Sequence, residues 1–110
     1  MSTLFRASRD VIIRTEKFDE AIDFYRSVMG LPLIHNSGSI VGFDAGALRL
    51  FVERGAEQGA VLEFLVPDVQ AAKRALVKAG SFIEEENLAL PRCYIRDPYG
   101  LVFNIGSDPS

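Results

Sequence analysis

Apolar positions along the chain change their spacing in the same order twice. Residues 10–15 hold three consecutive β-branched side chains, Val11, Ile12 and Ile13, and read as a strand with a polar end. Phe18, Ala21, Ile22, Tyr25, Val28 and Met29 then fall at i, i+3, i+4 and i+7, the stripe of an amphipathic helix over residues 18–29. Gly30 supplies a left-handed stop, and Pro32 prevents continuation. Strands follow near residues 33–36, 39–43 and 47–53, separated by the turn residues Asn36-Ser37-Gly38 and Asp44-Ala45-Gly46. The second half reads alike. An apolar strand at 61–66 is interrupted only by Glu63. Asp68 is placed to cap a helix whose inward positions are Val69, Ala72, Ala75, Leu76 and Ala79, and Gly80 ends it. Strands at 82–85, 93–96 and 101–105 close the chain, the last turn being Asp97-Pro98-Tyr99-Gly100.

The order is strand, helix and three strands, repeated with a shift of 51 to 54 residues. Two copies are too few for a solenoid. They predict an α+β fold of two tandem βαβββ modules, module one over about 10–53 and module two over about 61–106, within one domain spanning 1–110.

Composition narrows the function classes. With 48% hydrophobic and 25% charged residues the chain has the balance of a globular domain rather than a disordered one. No apolar run approaches a membrane span. Twelve basic against fifteen acidic residues argue against nucleic acid as a partner. A lone cysteine, Cys93, permits no internal disulfide, and residues 1–9 have no apolar core of a signal peptide. The expectation is a cytoplasmic domain with a small-molecule or protein partner.

Residues 22–32, which contain Phe24-Tyr25 and Met29-Gly30, resemble the "FY…LG" signature of the vicinal oxygen chelate superfamily. Residues 96–103, with Asp97-Pro98-Tyr99-Gly100, resemble its closing "DP-x-G" segment. That group contains glyoxalase I, extradiol dioxygenases and the bleomycin-resistance proteins. The resemblance covers residues 10–106 and implies curled mixed sheets that form an open cleft, and, for a chain of this length, a homodimer.

Enzymes of that superfamily hold a divalent metal with His and Glu side chains from four strands. Counted from Tyr25, the first such position is Asp10, and the 51-residue shift sends it to Val61. Counted from the glycines of the final turns, Gly46 and Gly100, the other two are Leu50 and Asn104. Leu and Val ligate nothing, and Asn offers only a neutral oxygen, so no metal and no cofactor are expected. Strand alternation puts Asp10, Ile12 and Arg14 on the cleft side with Val61, Glu63, Leu65, Val102 and Asn104. Leu48, Leu50 and Val52 complete that wall. The ligand-binding candidates are therefore Asp10, Ile12, Arg14, Leu48, Leu50, Val61, Glu63 and Asn104. The polar four among them serve equally well as rim charges or internal pairs, such as Arg14 with Glu63. His35, the only histidine, reads as a turn or surface residue, Cys93 as a small core hydrophobe, and Glu84-Glu85-Glu86 as a solvated strand end or loop.

The leading expectation is a metal-independent protein that sequesters a small ligand. The alternatives are a metal-dependent lyase, isomerase or dioxygenase with displaced ligands, a metal-free enzyme with Asp10 or Glu63 as general base, and a structural partner.

Overall fold

The structure, a computed structural model, describes residues 4–108. The chain divides into two compact units, one from Arg9 to Val61 and the other from Leu62 onward together with the residues through Ser8.

The first unit carries β1 (Arg6–Thr15) from Arg9, then α1 (Phe18–Asp23) and a π-helical segment (Phe24–Val28). β2 (Leu33–Asn36), β3 (Ile40–Asp44) and β4 (Arg49–Arg54) follow. Its strands lie in the order β2-β3-β4-β1. The hairpin-linked strands pair antiparallel, whereas β1 and β4 run parallel, so the sheet is mixed. The turn from β3 to β4 is closed by the Asp44 carboxylate, which accepts from the Gly46 N–H at 2.9 Å, with Gly46 at φ +86°. Phe18, Val41, Phe43 and Val52 are buried together, with Ile13, Ala21, Ile22, Tyr25 and Leu31 packed around them. Each such fully buried side chain contributes about 1.5–3 kcal/mol of transfer free energy.

The expected α-helix over residues 18–29 is α-helical only to Asp23. The Met29 N–H then reaches back five residues to the Phe24 carbonyl at 3.1 Å. A π turn accommodates one residue more than an α turn, so the 3.6-residue stripe loses its phase beyond Tyr25. Ala21, Ile22 and Tyr25 keep their inward positions. Val28 and Met29, expected inside, are 70% and 53% exposed.

The second unit takes up β5 (Gln58–Val66) from Leu62, then α2 (Val69–Lys78), β6 (Phe82–Asn87), β7 (Arg92–Arg96) and β8 (Val102–Ser107). The order β5-β8-β7-β6 repeats that of the first unit, again with a parallel pair, β5 and β8, beside an antiparallel meander. The Asp68 side chain accepts from the Ala71 N–H at 3.1 Å and caps α2 as its sequence predicts. The core is Val66, Ala72, Cys93, Ile95, Phe103 and Ile105, flanked by Phe64, Val69 and Leu76. Phe5 meets Phe64 edge-on, and Arg6 grips Asp108 through two hydrogen bonds of 2.9 and 3.0 Å.

The acidic run at 84–86 is exposed at Glu84 and Glu86 and half-buried at Glu85, as expected of a solvated strand end. It lies within β6, and each carboxylate has a basic partner: Glu84 with Arg96, Glu85 with Arg92 and Glu86 with Lys73. The guanidinium of Arg96 holds the Glu84 carboxyl below the usual carboxylate range.

Candidate functional site

In each unit the strands have one face on the helix and one face turned away, and the backbone register decides which side chains share the second. In the first unit β1 and β4 bring Asp10 opposite Arg49, Ile12 opposite Phe51 and Arg14 opposite Glu53. The contacts agree. Arg49 Nε donates to Asp10 Oδ1 at 2.6 Å, and Arg14 Nε donates to Glu53 Oε1 at 3.1 Å. The Arg14 and Glu53 side chains are only 18% and 15% exposed, so this pair is well shielded from solvent. Between the two ion pairs lies Phe51, whose ring covers Gly42. An added Cβ at Gly42 would sit 2.6 Å from Phe51 Cε1, so this face needs glycine there. His35, exposed on β2, tilts against the same ring with centroids 6.2 Å apart.

Asp10, Ile12 and Arg14 thus occupy the face turned away from α1, as alternation predicts. Leu50 and Val52 do not. Val52 is buried in the core with Phe18, and Leu50, two residues away on β4, shares its face and lies opposite Phe43. Leu48 precedes β4, in the turn where its carbonyl accepts from the Ala45 N–H. The glycines of the two final turns, Gly46 and Gly100, are not equivalent positions. Asp44 and Asp97 are the true counterparts: each starts its turn, and each lies seven residues before the strand position in question. The first turn reaches its glycine one residue sooner. Aligned on the aspartates, the counterpart of Asn104 is Phe51, and a one-residue slip moves every side chain to the other face.

In the second unit β5 and β8 place Glu63 opposite Asn104. Asn104 Nδ2 donates to Glu63 Oε2 at 3.0 Å, and its Oδ1 accepts from the Cys93 N–H at 2.9 Å. Gly106 leaves room for this carboxylate, since a Cβ there would stand 3.0 Å from Glu63 Oε2. Leu65 and Val102 share the face by alternation. Val61, which alternation groups with them, is 2% exposed. Across β7, Tyr94 is buried opposite Asn104 with the Arg92 guanidinium over its ring at 4.8 Å, and Arg92 also donates to Glu85 at 3.1 Å. Tyr94 and Arg92 were not among the sequence candidates. Their signal was the alternation of β7, which places Arg92, Tyr94 and Arg96 on the face of Asn104.

The sequence profile of the glyoxalase-like domain family matches residues 10–106. The chain belongs to this family. Among functionally curated proteins, none matches it. Solved structures share the glyoxalase-like fold. A glyoxalase/bleomycin resistance protein/dioxygenase superfamily member from Vibrio splendidus 12B01 is 13% identical, with 96% of this chain and 100% of that chain covered and a TM-score of 0.69. A hypothetical protein from Bacillus halodurans C-125 is 9% identical, covering 96% of both chains with a TM-score of 0.68. A methylmalonyl-CoA epimerase, solved with methylmalonyl-CoA and an ammonium ion, is 14% identical with 97% of both chains covered and a TM-score of 0.64. At these identities the likeness concerns the fold.

The divalent metal that the superfamily resemblance implies does not fit the donors of this glyoxalase-like chain. The four positions hold Asp10, Phe51, Val61 and Asn104. Phe and Val have no donor atom, Asp10 is engaged by Arg49, and both ends of the Asn104 amide are in use. Among the described residues no group of three or more His, Cys, Asp or Glu side chains could hold a metal ion. No described helix is long and apolar enough to cross a membrane.

Cys93 packs as a core hydrophobe, as its sequence context predicts, and burial pushes its thiol up with a further contribution from Glu86, opposed by Lys73. Tyr99 is 93% exposed at the tip of the last turn. A surface groove of about 350 Å³ lies beside the first helix, lined by Thr15, Lys17, Glu20, Ala21, Phe24 and Tyr25; none of these was a sequence candidate.

Proposed function

We propose that this glyoxalase-like chain is a metal-independent binding domain that sequesters a small molecule on the sheet faces turned away from its helices, working as a cytoplasmic homodimer. One observation carries the reading. Where the superfamily resemblance calls for four metal donors, this chain has two apolar side chains and two polar ones already committed to protein partners. What those faces offer instead is a mixture of aliphatic and aromatic surface with a few fixed polar groups, the composition of small-molecule sites in general. The exposed edge residues Leu33 and Ile34 of β2, and Phe82 and Ile83 of β6, support association with a second copy. The buried free thiol of Cys93 suits a reducing compartment.

The test is elemental analysis and native mass spectrometry of protein purified without chelator. The expected result is a mass of two chains with a small organic molecule retained and no stoichiometric metal. One nickel, zinc, iron or manganese ion per chain, lost to chelator together with thermal stability, would overturn the proposal in favour of a metalloenzyme.

A further inference from the structure

The carboxylates on these faces are not equivalent. In the first unit Asp10 is held by Arg49 and Glu53 by Arg14. In the second, Glu85 is held by Arg92 and Glu84 by Arg96. Each of the four is therefore balanced by a guanidinium. Glu63 is the exception: its partner is a neutral amide, Asn104 Nδ2, which fixes one carboxylate oxygen at 3.0 Å and leaves the charge uncompensated. The position of that carboxylate is defined from two further sides. Asn104 cannot turn its amide without giving up the Cys93 N–H on its Oδ1. Gly106 provides the space into which Oε2 fits. Oε2 is thus committed, and Oε1 remains as an acceptor on the face that Leu65 and Val102 share by alternation.

We infer that Glu63, oriented by Asn104, is a subsite for the protonated amine of a small ligand whose apolar body lies along Leu65 and Val102. The inference rests on the proposed binding function and adds the ligand's charge to it. A preoriented carboxylate that needs no reorganisation on binding gains a charge-assisted hydrogen bond with an ammonium donor, and gains nothing from an anion.

Three probes with the same body test it: benzylamine, benzyl alcohol and benzoate, each titrated into the intact protein and followed by amide chemical shifts. Benzylamine is expected to shift the amides of Glu63, Leu65 and Asn104 and to bind about tenfold more tightly than benzyl alcohol, the equivalent of one charge-assisted hydrogen bond. Benzoate is expected to leave them unmoved. In Glu63→Gln, which keeps an oxygen for Asn104, the preference for the amine should disappear while the spectrum stays folded. Gly106→Ala, which crowds Oε2, should weaken the amine and spare the alcohol. A preference that survives Glu63→Gln, equal binding of amine and alcohol, shifts confined to other residues, or no binding by any probe would each overturn the subsite. None of these touches the sequestration reading, which is judged on the molecule that co-purifies.

Discussion

Replacing Val52 by Ala should be among the more damaging single changes in the first unit, and it decides whether the aspartate-based alignment of the two halves is right. Val52 has no exposed surface and packs with Phe18, Val41 and Phe43. The substitution removes two buried carbons. At about 0.8 kcal/mol each, the transfer loss is about 1.6 kcal/mol. The cavity left beside Phe18 raises the cost to about 2–3 kcal/mol, because the surrounding side chains relax only partly. A domain of this size is stable by about 5–15 kcal/mol, so a substantial share is lost and the melting temperature falls by about 10 °C. Arg49→Ala, three residues earlier on the opposite face, is the control. Its ion pair with Asp10 is 43% and 29% exposed, and such pairs contribute less than about 1 kcal/mol. Urea unfolding followed by circular dichroism gives both differences at unchanged slope. A Val52→Ala loss below about 0.5 kcal/mol would place that side chain outside the core and refute the alignment.

Two further outcomes follow from local geometry. Gly42→Ala should cost about 1–3 kcal/mol through overpacking, since the new methyl meets the Phe51 ring at 2.6 Å and His35 Cβ at 3.2 Å. Adding Phe51→Leu should recover part of that loss in the same melting assay, and full additivity would show that the ring does not sit on Gly42. Cys93 should resist iodoacetamide in the folded protein and react freely in urea, because burial raises its thiol and keeps it protonated. With the folded thiol raised, the unfolded chain ionises first as pH climbs, so native protein holds more protons and stability falls on the alkaline side. A Cys93→Ala variant that retained the full alkaline loss would assign it to other groups.

Much of the fold is written in short-range signals. The two helix starts, the Asp68 cap, the glycine stops and the strand β2 at its observed bounds all follow from side chains acting within a few residues of themselves. What depended on counting over longer stretches fared less well. The stripe through residue 29 continued a 3.6-residue period across a turn that the backbone closes at five residues, and nothing in the apolar spacing marks that change. The acidic run at 84–86 is exposed as its composition suggests, but local spacing does not mark its partners Lys73, Arg92 and Arg96, which come from a helix and another strand. Their pairing is a tertiary fact.

The site turns on the same distinction. Strand alternation is a rule of period two, so it assigns a whole face correctly or reverses it, with no intermediate error. β1, β5 and β8 were anchored on the correct residue, and Asp10, Arg14, Glu63 and Asn104 stand where the pattern puts them relative to their helices. β4 was anchored one residue out, and the aliphatic Leu50 and Val52 took the place of Arg49, Phe51 and Glu53. That reversal changes the chemistry as well as the list. An aliphatic wall would have left Asp10 and Arg14 exposed to a ligand as isolated charges, whereas the actual face supplies each with its opposite at 2.6 and 3.1 Å. A ligand must displace an existing partner to use either group, at the cost of leaving that partner unpaired. Glu63 carries no such penalty, because its neighbour is an amide. The polar residue best suited to recognise a ligand is therefore the one whose partner is neutral, a property that appears only when the pairs are known.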